Sequence, residues 1–336
     1  MRPHDGIVKS FSPGTLKRFS GMLYSPAIVG IQPMNAPAER LILEPGERRE
    51  AVLQVIRGAR ERLVLSVFRC DDFKILDALA GAIRRGVRVR ALLTQRAKNW
   101  DKRLQELEVF LDSMGAEVHR YAGAETKYHA KYIVADGGPA LIASLNFTRK
   151  CFDKTCDFIV VTCEPGTVSA LTQLFENDCR HPDAALPREF SDRLIVGPDL
   201  ARTRFLEMLG QARRSIRIID HRVSDPQVVA LLRKSQASGV SVQVLGQGAV
   251  DGMLSHGKML VVDDAIAAIG SISLSPPSLN LRREVAVMVR DPGNVAKLSR
   301  FFERHGREGS GLPAEWSVPD RLDTEDNFDD ASDDID

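Results

Sequence analysis

Between residues 41 and 93, segments with the apolar pattern of a strand alternate with segments with the apolar pattern of a helix. Residues 63–68, which are dense in β-forming side chains, and residues 87–93 predict strands. Residues about 47–61 and 73–84 carry apolar side chains at helical spacing and predict helices. Strands that alternate with helices in this way predict an α/β fold.

The same series of positions returns in the second half of the chain. Matching residues are displaced by a constant 153 positions through four separate stretches. The matched stretches begin at Leu41 and Leu194, Pro45 and Pro198, Ala59 and Ala212, and Gly86 and Gly239. A constant offset through strands, helices and turns indicates an internal duplication. At 336 residues, the chain is long enough for two domains of ordinary size.

The two halves differ at one place. After Gly239 the offset falls to 127, so the first half holds 26 residues that the second lacks. These residues predict a helix at about 102–114 and a short strand at 117–121. The second half crosses the same gap with the glycine-rich segment 246–252, which is too short for a helix. We therefore expect the first domain to build most of one rim of any shared site.

Breaks in the pattern predict four segments. Residues 1–38 are interrupted by five prolines and predict an extended N-terminal arm, followed by a first domain at 39–187 and a second at 188–312. Residues 313–336 form a tail, in which 319–336 holds nine acidic residues and one arginine, and we expect it to be disordered. The rest of the chain is then basic, at +9, which suits a phosphate-bearing substrate.

Composition excludes several other classes of protein. Hydrophobic residues make up 43% and charged residues 27%, and no apolar run approaches the roughly 18 to 20 residues that cross a bilayer. The N-terminus also lacks a signal pattern, so we expect a cytoplasmic protein. The cysteines are odd in number and have no CxxC spacing, which favours free buried thiols over zinc ligands and predicts no metal or cofactor.

The residues best suited to catalysis lie in one motif that occurs twice. Residues 129–136 read HAKYIVAD and are followed by ASLN at 143–146. With an offset of 127, residues 256–263 read HGKMLVVD and are followed by GSIS. A histidine and a lysine two positions apart face the same side of a strand, and the apolar residues after them anchor that strand. Repetition at identical spacing favours a functional pair over a solitary structural histidine.

Brought together across a pseudo-twofold axis, the two motifs supply groups suited to a phosphodiester. Lys131, Lys258 and Asn146 can hold the non-bridging oxygens and stabilise the developing negative charge. One imidazole can attack phosphorus. The other can protonate the leaving oxygen and then deprotonate water or an alcohol. No metal is needed for this set of steps.

Two copies of HxKxxxxD followed by (G/A)SxN, the second with serine in place of asparagine, resemble the phospholipase D superfamily over residues about 40–312. The resemblance implies two pseudo-twofold-related α/β/α domains with abutting mixed β-sheets and one shared cleft. It also implies a covalent phosphohistidine intermediate that is resolved by water or an alcohol, as in bacterial phospholipases D and cardiolipin synthases.

The resemblance also implies roles for individual residues. His129 and His256 would be nucleophile and general acid/base, with His129 favoured as the nucleophile, and Lys131 and Lys258 would bind phosphate. The polar turns that support phosphate binding would be formed by Asn146, Ser144, Ser271 and Ser273.

Two pairs of carboxylates complete the assignment. Asp157 and Glu284 stand eleven positions after the end of each SxN-type turn, where the superfamily places a carboxylate that orients a catalytic histidine. Asp136 and Asp263 would be structural residues that fix the motif turn.

Three positions depart from the superfamily pattern. Ala143 replaces glycine, Ser273 replaces asparagine and Asp157 replaces glutamate. Every histidine and lysine of the motifs is retained, so we expect activity. Since Asp157 is one methylene shorter than glutamate, we expect it to reach its histidine less directly than Glu284 does.

Several functions remain open on these residues. The favoured substrate is a glycerophospholipid, hydrolysed to phosphatidic acid or transferred to an alcohol. Without spanning helices, membrane contact would be peripheral, through apolar residues of the arm between Phe19 and Ile28, unless the arm merely covers the core. The alternatives are a nuclease that cleaves DNA or RNA and a non-catalytic phosphate-binding module. A chain that holds both half-sites requires no oligomer.

Overall fold

The structure of the chain is a computed structural model that describes residues 39–246, 248–250 and 252–306. The predicted arm at 1–38 and the acidic tail at 313–336 lie outside the described residues, so both stay predictions. The predicted boundary between residues 187 and 188 also stays a prediction.

The first half alternates strands and helices as the pattern predicts. Its elements are β1 (Glu39–Ile42), α1 (Pro45–Gly58), β2 (Arg62–Val67), α2 (Phe73–Arg84), β3 (Arg88–Leu93), α3 (Asp101–Ser113), β4 (Glu117–Arg120), β5 (Lys127–Tyr128), β6 (Tyr132–Ala135), β7 (Ala140–Ala143), α4 (Arg149–Asp153), β8 (Thr155–Cys156), β9 (Ile159–Thr162) and α5 (Pro165–Arg180).

The second half repeats this order without counterparts of α3 and β4 among its described residues. Its elements are β10 (Leu194–Val196), α6 (Ala201–Gly210), β11 (Ser215–Ile219), α7 (Pro226–Ala237), β12 (Ser241–Leu245), β13 (Ala249–Val250), β14 (Met253–Ser255), β15 (Lys258–Val262), β16 (Ile266–Gly270), α8 (Pro276–Asn280), β17 (Arg282–Arg283), β18 (Val285–Val289) and α9 (Pro292–His305).

Equivalent contacts start the corresponding helices of the two halves. The Asp72 carboxylate accepts hydrogen bonds from the first N–H groups of α2 and pairs with Arg49 at 2.8 Å. In the second half, Asp225 caps α7 and pairs with Arg202 at 2.6 Å. Because both residues of each pair are displaced by 153, the duplication read from the sequence extends to the contacts that fix helix starts.

Two mixed sheets form the centre of the molecule. The first has the strand order β1-β9-β7-β6-β2-β3-β4, and the second has the order β10-β18-β16-β15-β11-β12. In each sheet, two strands that are joined by one helix run parallel to each other: β2 and β3 in the first sheet, and β11 and β12 in the second. The motif strand β6 runs antiparallel to β2, and the motif strand β15 runs antiparallel to β11. The predicted α/β class with paired mixed sheets is confirmed.

The two sheets abut through a shared core. One apolar cluster joins buried residues of β6 and β7, such as Tyr132 and Ile142, to Val261 and Ile269 of β15 and β16. Helices α5 and α9 contribute to the same cluster, whereas α1 and α2 cover the outer face of the first sheet and α6 and α7 that of the second. The layers hold both motif strands on one rigid support.

The 26-residue difference between the halves has the predicted form. Helix α3 buries Leu104, Leu107 and Leu111, and β4 adds a seventh strand to the first sheet. The second half crosses the gap with the small hairpin formed by β13 and β14. Among the described helices, none combines the length and the apolar character that crossing a bilayer requires.

Candidate active site

Just before each motif, the chain forms a short strand that pairs with a short strand of the other half. Strand β5 of the first half pairs in parallel with β17 of the second, and β14 of the second half pairs in parallel with β8 of the first. His129 N–H donates to the Arg283 carbonyl at 2.9 Å, and Gly257 N–H donates to the Cys156 carbonyl at 2.7 Å. Each histidine is thereby held beside the residue that follows β17 or β8 in the other half.

This crossing corrects one expectation. The histidine and lysine of each motif were expected to share a strand, but His129, Lys131 and His256 all lie outside strands, and only Lys258 lies in one, β15. The physical reason is that the backbone around each histidine pairs with the other half before the chain enters its own sheet.

The crossing forms two histidine–carboxylate dyads, each with one residue from either half. His129 Nδ1 is in direct contact with Glu284 Oε1. His256 Nδ1 lies 2.9 and 3.1 Å from the two carboxylate oxygens of Asp157. Asp157 is expected to reach its histidine less directly than Glu284 does, but both carboxylates are in direct contact with their histidines.

The electrostatic setting of His129 favours its neutral form. Burial lowers the pKa of His129 well below its usual value, and the positive charges of Lys131, Arg282 and Lys258 lower it further. Burial also raises the pKa of Glu284 above its ordinary value, although the same cationic neighbours oppose that rise. Both shifts disfavour full separation of charge within this dyad.

The second dyad is electrostatically different. Burial by itself would raise the pKa of Asp157, but the charge and hydrogen bond of His256, with smaller effects from Arg48 and Ser144, lower it to about 2. Asp157 is therefore a carboxylate across the physiological range. An ionised partner of this kind favours the protonated form of the histidine that it faces.

The serines of the two polar turns are engaged with the protein. Ser144 Oγ donates to Asp157 Oδ1 at 2.6 Å, and Ser273 Oγ donates to Asp220 at 2.8 Å. Ser271 Oγ accepts the Val285 N–H at 3.2 Å. These contacts orient carboxylates and the turn backbone, and binding of phosphate by the serines stays a prediction.

The two lysines and the asparagine are almost fully buried at the site. Lys131 is 1% exposed and its Nζ donates to the His129 carbonyl at 2.7 Å, while Lys258 is 7% exposed. Asn146 is 1% exposed, and within the described residues its Oδ1 has no hydrogen-bond partner. Asn146 and His256 line one small cavity of about 30 Å³. Asn146 is thus buried beside a histidine of the motif, and its NH₂ group is the part of the amide that can donate to a phosphate oxygen, a contact that stays a prediction.

Asp136 and Asp263 lie at the far ends of the motif strands, in equivalent turns with φ of 50° and 55°. Asp136 accepts backbone N–H bonds from three consecutive residues, including Arg62 at 2.9 Å. Asp263 does the same, including Ser215 at 2.8 Å. Each carboxylate ties the turn after the motif strand to the start of the neighbouring strand.

Three further residues of the site were missed by sequence reasoning. The ring of Phe68 packs edge-on against His129 at 4.5 Å between centroids, and the ring of His221 stacks on His256 at 6.4 Å. Asp220, adjacent to His221, receives the Ser273 hydroxyl. The offset of 153 maps Phe68 onto His221, so extending the alignment of the halves past β2 and β11 would have found this pair.

A family model described as "Cardiolipin synthase, PLD-like domain" matches residues 52–179 and 246–305. Cardiolipin synthase 1 of Bacillus anthracis is 22% identical over 337 residues, which cover 79% of this chain and 65% of the relative. Cardiolipin synthase B of Escherichia coli K12 is 27% identical over 319 residues, which cover 74% of this chain and 76% of the relative. The chain thus spans about two thirds of the length of the Bacillus relative.

Solved structures share the fold. A phosphatidylserine synthase from Haemophilus influenzae superposes with a TM-score of 0.64 at 11% identity, over 83% of this chain and 88% of that one. A polyphosphate kinase from Porphyromonas gingivalis gives 0.65 at 19% identity, over 79% of this chain and 46% of that one. The family model covers more than half of the chain, and the chain therefore belongs to the phospholipase D superfamily, in its family of cardiolipin synthase-type PLD-like domains.

Proposed function

We propose that the protein is a phosphatidyltransferase or phosphodiesterase that acts on glycerophospholipids through a phosphohistidine at His129. The observation that carries the proposal is the pair of crossed dyads, which supplies two histidines in different electrostatic settings. The cardiolipin synthase relatives support the choice of a phospholipid substrate.

In the first step, His129 attacks phosphorus with Nε2, because Nδ1 is directed to Glu284. The lowered pKa of His129 keeps a lone pair on the ring at neutral pH. As the phosphorus–oxygen bond to the leaving group breaks, protonated His256 donates a proton to the departing oxygen. The ionised Asp157 stabilises the imidazolium before transfer.

In the second step, the roles reverse at His256 alone. Now neutral, His256 removes a proton from water or from an acceptor alcohol, whose oxygen attacks phosphorus and displaces His129. Lys131, Lys258 and Asn146 hold the non-bridging oxygens in both steps. Each histidine ends in its starting protonation state, so the cycle is closed without a cofactor.

Two exposed leucines favour a lipid substrate over a nucleic acid. Leu254 is 46% exposed and Leu281 is 53% exposed, and each belongs to the segments that enter the site. Leu254 N–H donates to the Lys154 carbonyl at 3.0 Å, and Lys127 N–H donates to the Leu281 carbonyl at 2.8 Å. Each exposed leucine is thus adjacent to a lysine, a combination that suits apolar insertion beside anionic headgroups.

A nuclease is the second candidate, because the cavity beside His256 is lined by Arg69, Lys150 and Trp100. Cationic side chains next to an aromatic ring are typical of single-stranded nucleic-acid grooves. This cavity is compatible with either polyanion, so the substrate must be tested directly.

The test is cleavage of phospholipid vesicles and, separately, of single-stranded DNA, both in EDTA. We expect release of headgroup or formation of phosphatidyl-alcohol from vesicles, with no DNA cleavage. His129→Ala and His256→Ala are the matched controls, and each should lower turnover by at least about 10³-fold. Cleavage of DNA alone would replace the lipid assignment. Activity in neither assay would favour a phosphate-binding module.

A further inference from the structure

Three side chains of different chemistry converge beside the second dyad. Cys151, Asp157 and His256 place one sulfur, oxygen or nitrogen atom each within 4.8 Å of one another. Cys151 lies on α4, is 4% exposed and forms no disulfide. The cluster joins two residues of the first half to one of the second.

This combination of donors is one that zinc prefers. Thiolate, imidazole and carboxylate bind Zn²⁺ at about 2.0 to 2.3 Å, so tetrahedral ligand atoms stand roughly 3.3 to 3.8 Å apart. An adjustment on the order of 1 Å brings the present donors to that spacing. Ser144 donates to Asp157 and fixes the carboxylate, as partners of metal ligands do.

The cluster also borders a cavity. Cys151 and His256 both line it, and its volume of about 30 Å³ is enough for one water molecule, the fourth ligand of a tetrahedral ion. The positive charge of Arg48 acts on Asp157 and opposes a cation there. We therefore expect binding that is readily reversed by a chelator.

The other half of the molecule shows that the thiol is not required to build a dyad. The offset of 127 places Ser278 at the position of Cys151, and its side chain hydrogen-bonds to Glu284 beside His129. A serine therefore serves the equivalent position. The cysteine of the first half adds a metal-binding group that the second half lacks.

We propose that Cys151, Asp157 and His256 form a Zn²⁺ site that inhibits the enzyme reversibly. Binding releases two protons to solvent, one from the Cys151 thiol and one from His256 Nδ1, and zinc takes the place of the Nδ1 proton that faced Asp157. The ring then keeps only its Nε2 proton, which a neutral imidazole does not release near neutral pH, and the leaving group loses its acid. The inhibition rests on the proposed function, whereas the binding does not.

Binding is tested by titrating the purified protein with Co²⁺, which reports a bound thiolate through its sulfur-to-cobalt charge-transfer absorption. We expect a band that saturates at one equivalent and is removed by Zn²⁺. Cys151→Ser should abolish the band. It should also lower zinc affinity by more than about 100-fold, because loss of a residue that only hydrogen-bonds to a metal ligand already costs up to about that much, and Cys151 would be a ligand itself. Cys163→Ser, at a half-buried thiol outside the cluster, should retain it. A band that persists in Cys151→Ser would overturn the site.

A second measurement uses the unaltered protein, so it tests the zinc site even if Cys151→Ser does not fold. Zn²⁺ should slow alkylation of Cys151 but not of Cys163, with both labelled peptides quantified by mass spectrometry. Equal alkylation rates at Cys151 with and without zinc would refute the site even if Cys151→Ser fails to fold.

Inhibition is tested last, with each rate expressed relative to the same variant in EDTA. Zinc should inhibit the unaltered enzyme and should need a concentration more than about 100-fold higher to inhibit Cys151→Ser. Equal inhibition of both would contradict the inhibitory role. If no phosphodiester is cleaved in EDTA, the proposed function fails, while the cobalt band still decides whether the metal site exists.

Discussion

His129 is the residue whose surroundings most restrict the chemistry. Its pKa is lowered by burial and by the charges of Lys131, Arg282, Lys258 and Lys127, although a glutamate is in direct contact with it. A neutral imidazole is a nucleophile, whereas an imidazolium is not. The residue types could be read from the sequence, but this difference from His256 depends on burial and on cations contributed by both halves.

The pH dependence of turnover should follow from this setting. Because His129 must be neutral and its pKa is lowered, kcat/KM for a soluble nitrophenyl phosphodiester should persist below pH of about 6.5 and fall only further into acid. Lys127→Met removes one of the cations, so the acid limb should move to higher pH. A wild-type limb at the ordinary histidine value, or no shift in the variant, would contradict the neutral-nucleophile assignment.

Asp263 illustrates a motif residue that acts on stability. Burial is the largest single influence on Asp263 and by itself raises its pKa, but three backbone N–H donors, from Ser215, Arg214 and Arg213, together lower the pKa below the ordinary value. A carboxylate with a lowered folded-state pKa stabilises the protein above about pH 3.8, and this contribution is lost as pH falls through the folded value.

Asp263→Asn should therefore lower the free energy of unfolding by about 1 to 2 kcal/mol at neutral pH, since an amide cannot accept all three N–H groups. Urea unfolding from pH 7 to 3 should show a flatter pH dependence in the variant. Turnover per folded molecule should change little. A folded variant with lost turnover and unchanged stability would instead give Asp263 a role in the chemistry.

At the scale of elements, the long strands and helices were predictable and the short ones were not. Periodicity and the offset of 153 located the main strands, the helices and the extra helix α3. Strands β5, β8 and β17 are two residues long and carry no periodicity. They decide which carboxylate meets which histidine, so the crossed dyads could not be derived from the pattern.

The glycine of the second motif turn is an element-level requirement, although the first half has alanine there. A Cβ on Gly270 would stand 2.2 Å from the Val285 carbonyl oxygen and 2.4 Å from Ala286 Cα, so β16 and β18 would have to separate. The equivalent Ala143 carries a Cβ and is fully buried in β7, between β6 and β9.

Gly270→Ala should destabilise the protein by about 1 to 3 kcal/mol, as overpacking does, and should disturb the adjacent Ser271 and Glu284. Ala143→Gly is the matched change and should cost only about 0.5 to 1 kcal/mol, the entropic penalty of glycine in a strand. Denaturant unfolding of both variants makes the comparison. A larger loss of stability in Ala143→Gly than in Gly270→Ala would refute the packing difference between the halves.

At the scale of the whole molecule, the duplication gives one site made by two unequal halves. The sequence predicted the shared cleft, the two histidines and the two carboxylates through the resemblance. It did not predict that each carboxylate serves the other half. Because both dyads and the core beneath them are shared, neither half contains a complete dyad of its own.

The central claim is the division of labour, with His129 as nucleophile and His256 as acid. A nitrophenyl phosphodiester has a leaving group that needs no protonation, so it separates the two roles. His256→Ala should release one burst equivalent of nitrophenol and then stall, with the phosphoryl adduct on the peptide that contains His129 after an alkaline quench. His129→Ala should give neither burst nor adduct. An adduct on His256, or a burst from His129→Ala, would contradict the account.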